Sequence, residues 1–346
     1  MADPTFAGWD LGGAHLKIAV VSGDGALKAV RQVPCALWQG LDRLDEALAL
    51  AAPELTGVAR HAVTMTGELV DLFPSRRSGV KALVGKMVEH FSSDEILIFG
   101  GTSGFLSPDD ALGQCERVAS ANWLASARWA ARRVENALFA DLGSTTADLV
   151  PLANGEVRAL GANDHERLAC DELVYSGVTR TPVMAIARRV PFDGEWRALM
   201  AEQFATMADV HRITGRLPPT VDQHPAADGA GKSVDDSARR LARMVGRDLE
   251  EDSPGAWRGL ARYLAERQLR DLADAAERVL SRHLLDDQAP LVGAGIGRFL
   301  LRDLAARLER PYRDFAELLR GPEEHRNWAA CCAPAAAVAL LALDDI

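Results

Sequence analysis

The sequence has few of the features that mark secreted, membrane or nucleic-acid-binding proteins. Aromatic residues make up 6% of the 346 residues, and the five cysteines are an odd number without C-x-x-C spacing. That pattern fits neither a disulfide framework nor a structural zinc site, and it favours a reducing compartment. Basic residues are also fewer than acidic ones: the sequence has 39 Lys and Arg and 49 Asp and Glu, which gives a net charge of −10. Such a field repels polyanions, so nucleic acid and anionic membranes are poor partners.

Long apolar runs and targeting segments are missing as well. The first five residues carry neither the basic region nor the apolar core of a signal peptide. The most apolar stretch, residues 329–343, is interrupted by Pro334 and is too short to cross a bilayer. The sequence therefore predicts a soluble, cytoplasmic protein with no membrane partner. Its 48% apolar and 25% charged residues are typical of a globular chain of about two domains.

Each half of the chain opens with the pattern of a three-stranded β-meander. The predicted strands are 6–10, 16–21 and 27–33 in the first half, and 136–141, 147–152 and 156–160 in the second. After the first meander, helices are predicted at 41–51 and 80–91, alternating with strands at 61–65 and 96–99. After the second meander the pattern is mostly helical, with helices at 196–214, 234–244, 257–283 and 298–308 and a short strand at 290–292.

A short motif occurs twice, once at the first turn of each meander. Residues 9–18 (WDLGGAHLKI) align without gaps with residues 140–149 (ADLGSTTADL), matching Asp, Leu, Gly and a small residue. A single Asp-Gly turn usually reflects turn geometry alone. Two copies 131 residues apart, each opening one half of the chain, indicate a duplicated functional loop.

Tight turns of glycine and small residues can hold phosphate, because they expose consecutive backbone N–H groups. We predict one such turn in each half, built from Gly12, Gly13 and Lys17 and from Gly143, Ser144, Thr145 and Thr146. Short carboxylates at strand ends are suited to Mg²⁺. Asp10 and Asp141 are therefore the predicted metal ligands, and Asp10, Asp141 and Asp148 are the predicted catalytic residues.

Two further glycine-rich turns are predicted to line the same cleft. One is Gly101, Thr102 and Ser103, and the other is Gly293, Gly295 and Gly297, which precede a helix N-terminus that can attract anions. The second turn departs from the dinucleotide fingerprint, because Arg298 replaces its last glycine. A permissive P-loop pattern ends at Lys232 and Ser233, but no strand pattern precedes it, so a true P-loop is not predicted.

Taken in order, these motifs resemble those of the superfamily that includes actin, sugar kinases, chaperone ATPases and the hydantoinase/oxoprolinase proteins. Residues 10–17 look like its first phosphate motif, 141–148 like its second and 293–295 like its adenosine motif. The resemblance implies an α/β fold with two ribonuclease-H-like domains and a central cleft. Residues 1–133 with the C-terminal helix 325–346 would form the first domain, and residues 134–324, with a helical insertion, the second.

Four segments look like a narrower, hydantoinase-like group linked to tetrahydromethanopterin-dependent one-carbon metabolism and methanofuran biosynthesis. They are 64–71 (TMTGELVD), 100–105 (GGTSGF), 172–182 (ELVYSGVTRTP) and 237–244 (SARRLARM). This resemblance implies a transferase that joins a furfuryl diphosphate, (5-(aminomethyl)furan-3-yl)methyl diphosphate, to the phenol of a glutamyl-tyramine or tyrosine-type acceptor and releases diphosphate. It implies Mg²⁺ as cofactor and leaves nucleotide binding open, and Arg180 is a candidate partner for an acceptor carboxylate.

Other functions on the same fold stay open at this point. They are an ATP-dependent small-molecule kinase, a hydantoinase-type amidohydrolase and a non-enzymatic scaffold, and an oligomer is compatible with each. Ala14 stands where phosphoryl-transfer relatives often carry Thr or Ser, which puts ATP hydrolysis in doubt. We expect Asp10 to face solvent, so Asp10→Ala should abolish turnover and Mg²⁺ dependence and leave melting near normal, whereas a purely structural turn predicts the reverse.

Overall fold

The first part of the chain forms a six-stranded mixed sheet. A computed structural model describes residues 4–345. The strand order in this sheet is β3-β2-β1-β4-β5-β6. Central β1 pairs with antiparallel β2 on one side and with parallel β4 on the other. The strands are β1 (Thr5–Leu11), β2 (His15–Val21), β3 (Leu27–Pro34), β4 (Val58–Met65), β5 (Ile96–Phe99) and β6 (Phe105–Leu106).

Helices of the first half connect and cover these strands, and apolar side chains from both form a core. They are α1 (Asp42–Ala51), α2 (Arg76–His90), α3 (Pro108–Gly113), α4 (Cys115–Val118) and α5 (Asn122–Ala131). Helix α2 begins where Ser75 accepts a hydrogen bond from the Ser78 backbone N–H, as in a capping box. The β-β-β-α-β-α-β order predicted for the first hundred residues is confirmed.

The second sheet repeats this arrangement. Its strand order is β10-β8-β7-β13-β14, with β9 on the edge of β8. Central β7 again pairs with an antiparallel hairpin partner, β8, and with a parallel strand, β13. The strands are β7 (Ala137–Leu142), β8 (Ala147–Ala153), β9 (Glu156–Val157), β10 (Leu173–Val174), β13 (Leu291–Ala294) and β14 (Tyr312–Asp314), and the helices outside the insertion are α6 (Asp164–Ala169), α10 (Pro254–Leu280) and α11 (Arg298–Arg307).

A mostly helical insertion lies between β10 and α10 and has its own apolar core. It contains α7 (Val183–Ile186), β11 (Arg189–Phe192), β12 (Glu195–Ala198), α8 (Met207–Ile213) and α9 (Val234–Met244). The predicted helix at 196–214 is wrong in its first part, because β11 and β12 form a hairpin. Asp193 and Gly194 both have positive φ there, so this Asp-Gly pair is a hairpin turn that the helical periodicity concealed.

The predicted strand at 156–160 is also too long, since only Glu156–Val157 is a strand. Beyond it, the N–H groups of Leu160 and Gly161 donate to the carboxylate of Glu172 and not to a neighbouring strand. A buried carboxylate therefore replaces strand pairing at this edge, which a pattern of alternating residues cannot reveal.

The last two helices, α12 (Glu323–Cys331) and α13 (Ala333–Asp345), return to the first half of the chain. Alanine-rich α13 crosses β1 so closely that a Cβ on Gly8 would lie 2.0 Å from the Ala335 carbonyl oxygen. Within residues 4–345 no single helix could span a bilayer; α12 and α13 reach the length only as a pair bent by 108°.

The two-sheet α/β architecture predicted from the sequence is confirmed. The domain boundaries at residues 133/134 and 324/325 stay a prediction. Their outer limits, and part of the N-terminal segment judged to lack a signal peptide, fall on residues 1–3 and 346, outside the described residues.

Candidate active site

The two repeated turns meet at one cavity. The β1–β2 turn and the β7–β8 turn line opposite sides of a cavity of about 390 Å³. All of the residues predicted in these two motifs line it: Asp10, Gly12, Gly13 and Lys17 from the first half, and Asp141, Gly143, Ser144, Thr145, Thr146 and Asp148 from the second. The duplicated motif therefore forms one composite site between the two sheets.

Strand register places a charged residue opposite each strand-end aspartate. Asp10 pairs with Lys17 across β1 and β2, and Asp141 pairs with Asp148 across β7 and β8. The two hairpins are alike in geometry but differ in charge, because one pair is a carboxylate with an ammonium and the other is two carboxylates. Like charges directly opposite each other are destabilising in a hairpin, so the second pair points to a functional requirement.

Asp10 is almost completely buried, with 1% of its surface exposed. Its Oδ2 accepts a hydrogen bond from Lys17 Nζ at 3.0 Å, and its Oδ1 is buried without a partner among the described residues. The expectation of a solvent-facing carboxylate is therefore wrong. Replacing Asp10 would leave the Lys17 ammonium without its partner, so such a variant would lose stability along with any activity.

Asp141 has no ion-pair partner in the part of the chain that the structure describes. Burial first, and then the neighbouring carboxylates of Asp148 and Asp10, raise its pKa from 3.8 to about 7, although Lys17 acts in the opposite direction. The pKa of Asp148 is also raised, chiefly by burial, with Arg167 acting in the opposite direction. Asp141 therefore titrates near neutral pH and is the member of the pair that lacks a compensating cation.

Arg167 is the main residue of the site that sequence reasoning missed. It is 1% exposed, and its guanidinium donates to Asp148 Oδ1 at 2.8 Å and to the Glu172 carbonyl at 2.8 Å. The guanidinium also lies 3.9 Å from the ring centroid of Trp123. The charged run 163–167 has the pattern of a solvated surface, and nothing in it distinguishes the one side chain that turns inward.

Both turns offer backbone donors to the cavity. The N–H groups of Gly13, Ala14, Ser144 and Thr145 make no hydrogen bond within residues 4–345, whereas those of Gly12 and Gly143 close their own turns. Unpaired N–H groups in consecutive turn residues form an anion-binding concavity. Each half of the chain thus presents one phosphate-sized set of donors.

A segment from the second half braces the β7–β8 turn. A Cβ on Gly177 would lie 2.3 Å from Thr145 N, so only glycine allows this approach. Val178 N–H donates to Gly143 O, and Arg180 N–H donates to Ser144 O at 2.8 Å. This segment lies within residues 172–182, which resemble the narrower family. The sequence alone did not show what these residues do in the structure.

The donor set fits a Mg²⁺ ion that is completed by substrate oxygens. No cluster of three or more His, Cys, Asp or Glu side chains within residues 4–345 could hold a metal without further ligands. Asp10 nevertheless has a buried carboxylate oxygen without a partner, and Asp141 lines the same cavity. Mg²⁺ commonly binds through one or two carboxylates together with waters and phosphate oxygens, which is the arrangement these residues could provide.

Comparison with known proteins identifies the family of the chain. The family model described as Hydantoinase/oxoprolinase matches residues 60–315. This chain belongs to the hydantoinase/oxoprolinase family. The resemblance inferred from its motifs is therefore confirmed.

Two curated relatives carry the same name, "(4-{4-[2-(gamma-L-glutamylamino)ethyl]phenoxymethyl}furan-2-yl)methanamine synthase". The protein from Methanocaldococcus jannaschii is 29% identical over 297 residues, covering 86% of this chain and 87% of the relative. The protein from Methanococcus vannielii is 24% identical over 176 residues, covering 51% of this chain and 78% of the relative. A nucleotide-free structure of acetone carboxylase is similar in fold, with a TM-score of 0.54 and 12% identity, covering 87% of this chain and 66% of that one.

The third glycine motif of this hydantoinase/oxoprolinase protein packs against the site and does not line the cavity. The N–H of Gly295 donates to Ala330 O at 2.7 Å and that of Gly297 to Leu142 O at 2.8 Å. A Cβ on Gly293 would lie 2.5 Å from the Tyr312 hydroxyl. These glycines allow the turn after β13 to pack tightly, and two of the N–H groups expected to face a nucleotide are already used.

Gly295→Ala should therefore damage the site indirectly. Gly295 has φ of +85°, and an added Cβ would meet Leu142 O at 2.3 Å and Asp141 Oδ1 at 2.4 Å. We expect a loss of about 3 kcal/mol in the free energy of unfolding, together with lower activity, because the Asp141 carboxylate must move. Gly194→Ala is the matched control, since Gly194 has φ of +74° and open space around it. Chemical denaturation should show a loss of only about 1 kcal/mol there; equal losses would contradict the steric account.

The turn containing Gly101, Thr102 and Ser103 does not join the cavity between the hairpins. Gly101 and Thr102 line a separate cavity of about 740 Å³ beside α5 and β9. Ser103 accepts a hydrogen bond from Arg117 at 3.0 Å, and Arg128 donates to Gly101 O at 2.8 Å. The β5–β6 connection places this turn on the far side of Trp123, which contacts both cavities.

Further lining residues of the hairpin cavity were not singled out from the sequence. They include His15, Thr66, Ser120, Trp123, Arg167 and Tyr175. Thr66 and Tyr175 lie in segments that carry the narrower family resemblance, so that resemblance was the one available signal for them. The pKa of His15 is lowered to about 2, by burial first and then by its neighbours His224, Lys17 and Arg180, so its imidazole is uncharged.

Proposed function

We propose that this chain is a transferase that forms a furan–phenol ether, like the enzyme named for its two archaeal relatives. The donor is (5-(aminomethyl)furan-3-yl)methyl diphosphate, and the acceptor is the phenol of a glutamyl-tyramine or tyrosine-type compound. The observation that carries the proposal is the pair of N–H-lined turns on one cavity with three carboxylates. That arrangement suits a diphosphate, and the relatives' printed name contains both the furan and the phenoxymethyl group.

In this proposal each turn binds one phosphate of the donor. Gly13 and Ala14 donate to one phosphate, and Ser144 and Thr145 donate to the other. Lys17, already paired with Asp10 at 3.0 Å, adds positive charge at the first turn. Asp10 and Asp141 would hold Mg²⁺, which supplies Lewis-acid stabilisation of the negative charge on a departing diphosphate. The protein thus stabilises the leaving group most where the negative charge develops.

The carbon–oxygen bond of the donor then breaks at the furfuryl carbon, and the electron pair leaves with the diphosphate. The furan ring delocalises the positive charge that develops on that carbon. The phenol, whose ordinary pKa is about 10, must lose its proton as its oxygen bonds to the carbon. We assign the proton to the free carboxylate oxygen of Asp148, because its other oxygen is held by Arg167 at 2.8 Å.

The wild-type enzyme should form the ether from donor and phenolic acceptor without ATP. Mass spectrometry should find the ether and inorganic diphosphate in equal amounts, and omission of either substrate should abolish both. A parallel reaction with ATP and the acceptor tests the kinase alternative. We expect no ADP, because the N–H groups of Gly295 and Gly297 in the third glycine turn already donate to backbone carbonyls of the protein and are not free to bind a nucleotide. Robust ADP formation without ether would overturn the proposal.

A further inference from the structure

A second cavity opens directly beside the one that holds the two phosphate turns. It has a volume of about 290 Å³ and lies between the first hairpin and the helical insertion. His15, Thr145 and Arg180 line both cavities, so these three residues form the seam between them. A reaction that joins two substrates needs adjoining spaces, and the volume of this one is near the lower end of small-molecule pockets, which suits one aromatic ring with a short chain.

One wall of the second cavity is aromatic and held in place. The rings of His224 and Trp38 have centroids 5.7 Å apart, and His224 stands edge-on to His15 at 4.5 Å. His224 Nε2 donates to the Ala14 carbonyl at 2.8 Å, which ties this wall to the first phosphate turn. Trp38 is 42% exposed and lines the second cavity, so its ring is accessible to a ligand there.

Arg180 provides a positively charged side chain at the seam between the two cavities. The Arg180 guanidinium lies 5.4 Å from the Trp38 ring centroid and donates to Thr145 Oγ1 at 3.4 Å. Arg180 makes no ion pair with a carboxylate in the portion of the chain that is described. It can therefore meet negative charge that develops on a ligand oxygen at the seam.

Another part of the cavity lining is polar, and its charged side chains are paired with one another. Asp222 lines it and pairs with both Arg212 and Lys232, and Lys232 also donates to the Asp222 carbonyl at 2.8 Å. Lys232 belongs to the motif with the permissive P-loop pattern. Ala226 and Ala227, at the start of that motif, line this cavity, and Ser233 at its end begins α9 as the N-cap.

We propose that this second cavity is the binding site of the phenolic acceptor. The inference rests on the proposed function and adds a site for the second substrate. The phenol ring packs against Trp38 and His224, its oxygen lies at the seam beside Arg180, and its polar tail extends toward Asp222. Arg180 then faces the phenol oxygen and not an acceptor carboxylate, which changes the role expected from the sequence.

This placement accounts for the chemistry at the seam. The phenol proton passes to a carboxylate of the first cavity, the phenol oxygen bonds to the furfuryl carbon, and the diphosphate departs with the electron pair. Negative charge on the phenol oxygen is greatest while the proton is leaving, and the Arg180 guanidinium stabilises it there. Trp38 contributes binding of the ring in both ground and transition states, so it should affect the acceptor KM more than kcat.

Two variants with matched controls test the site by steady-state kinetics of ether formation. Trp38→Leu should raise the KM for glutamyl-tyramine about tenfold and leave the KM for the furfuryl diphosphate within twofold. Trp196→Leu is its control, because Trp196 is also exposed, at 57%, and lies under Arg189 at 4.9 Å, away from both cavities. The Trp196 variant should match the wild type.

Arg180→Gln should lower kcat about a hundredfold, with Arg189→Gln unchanged. Acceptors with ring fluorines, whose phenols are more acidic, should progressively reduce the Arg180→Gln defect, since less charge stabilisation is then needed. A merely structural role would give the same defect with every phenol.

If the wild type forms ether but Trp38→Leu leaves the acceptor KM unchanged, or the Arg180→Gln defect is constant across the phenols, the acceptor site is refuted while the function stands. If the wild type forms no ether, the proposed function and this inference both fail.

Discussion

Asp141→Asn should lose turnover by about 10²–10³-fold and yet be more stable than the wild type above neutral pH. Burial, Asp148 and Asp10 together raise the pKa of Asp141 from 3.8 to about 7. The native state therefore holds this proton more tightly than the unfolded chain does. Lower turnover together with higher stability would identify Asp141 as a functional carboxylate, because replacing a structural residue would lower the stability.

The sign of the pH dependence follows from that raised pKa. At a pH well below 3.8 the carboxyl is protonated in both states and the variant should resemble the wild type. As pH rises toward 7, the unfolded chain gives up the proton first, so wild-type stability falls relative to Asp141→Asn. Because one pKa unit corresponds to about 1.4 kcal/mol, the variant should gain about 2–4 kcal/mol above pH 7.

Urea denaturation of metal-free protein at several pH values measures this gain. Metal must be removed with a chelator, because a bound cation would favour the ionised carboxylate. Asp148→Asn is the control: it exchanges the ion pair with Arg167 at 2.8 Å for a hydrogen bond to a neutral amide, so it should gain less stability than Asp141→Asn. An Asp141→Asn protein that is less stable than wild type at pH 8, or that keeps its activity, would contradict the account.

Arg167→Met should be the most destabilising single change in the site, by about 3–5 kcal/mol. Arg167 is buried and supplies the only ion pair of Asp148 within residues 4–345. Its removal leaves the Asp148 carboxylate, whose side chain is only 14% exposed, opposite Asp141 with no cation in contact, and it also removes the stack on Trp123. Breaking one partner of a buried pair costs far more than losing an exposed ion pair.

A double variant and a surface control complete this test. Asp148→Asn should restore part of the stability lost in Arg167→Met, because the uncompensated charge is then gone. Arg278→Met also breaks an ion pair, with Asp171 at 2.6 Å, but its side chain is 54% exposed. It should cost no more than about 1 kcal/mol. Equal losses of stability in the two single variants, or no recovery of stability in the double variant, would show that Arg167 does not stabilise the protein by neutralising Asp148.

The sequence was most informative where a local rule fixes the structure. Alternating apolar residues predicted both meanders, and the repeated Asp-Leu-Gly motif predicted which turns would share a cavity, because each copy forms the turn at the end of a central strand. Residues 234–244, predicted as a helix, form α9. The residues aligned between the two copies have the same register in the structure, where Asp10 pairs with Lys17 and Asp141 with Asp148.

What the sequence could not show depends on contacts between distant segments. Arg167 lies in a charged run and is buried only because Asp148, Glu172 and Trp123 surround it. Gly295 has the pattern of an anion-binding loop, but its N–H is taken by Ala330, on a helix that arrives from near the end of the chain. Asp10 is buried for a similar reason, since no rule of spacing reveals which strand ends become covered.

The most direct test is a crystal structure of the protein with inorganic diphosphate and Mn²⁺, with the metal located by its anomalous scattering. The account predicts a single diphosphate bridging the turns at Gly13 and Ser144, with the metal bound by Asp10 and Asp141 and by diphosphate oxygens. A diphosphate bound to only one turn, or a metal away from both aspartates, would contradict it.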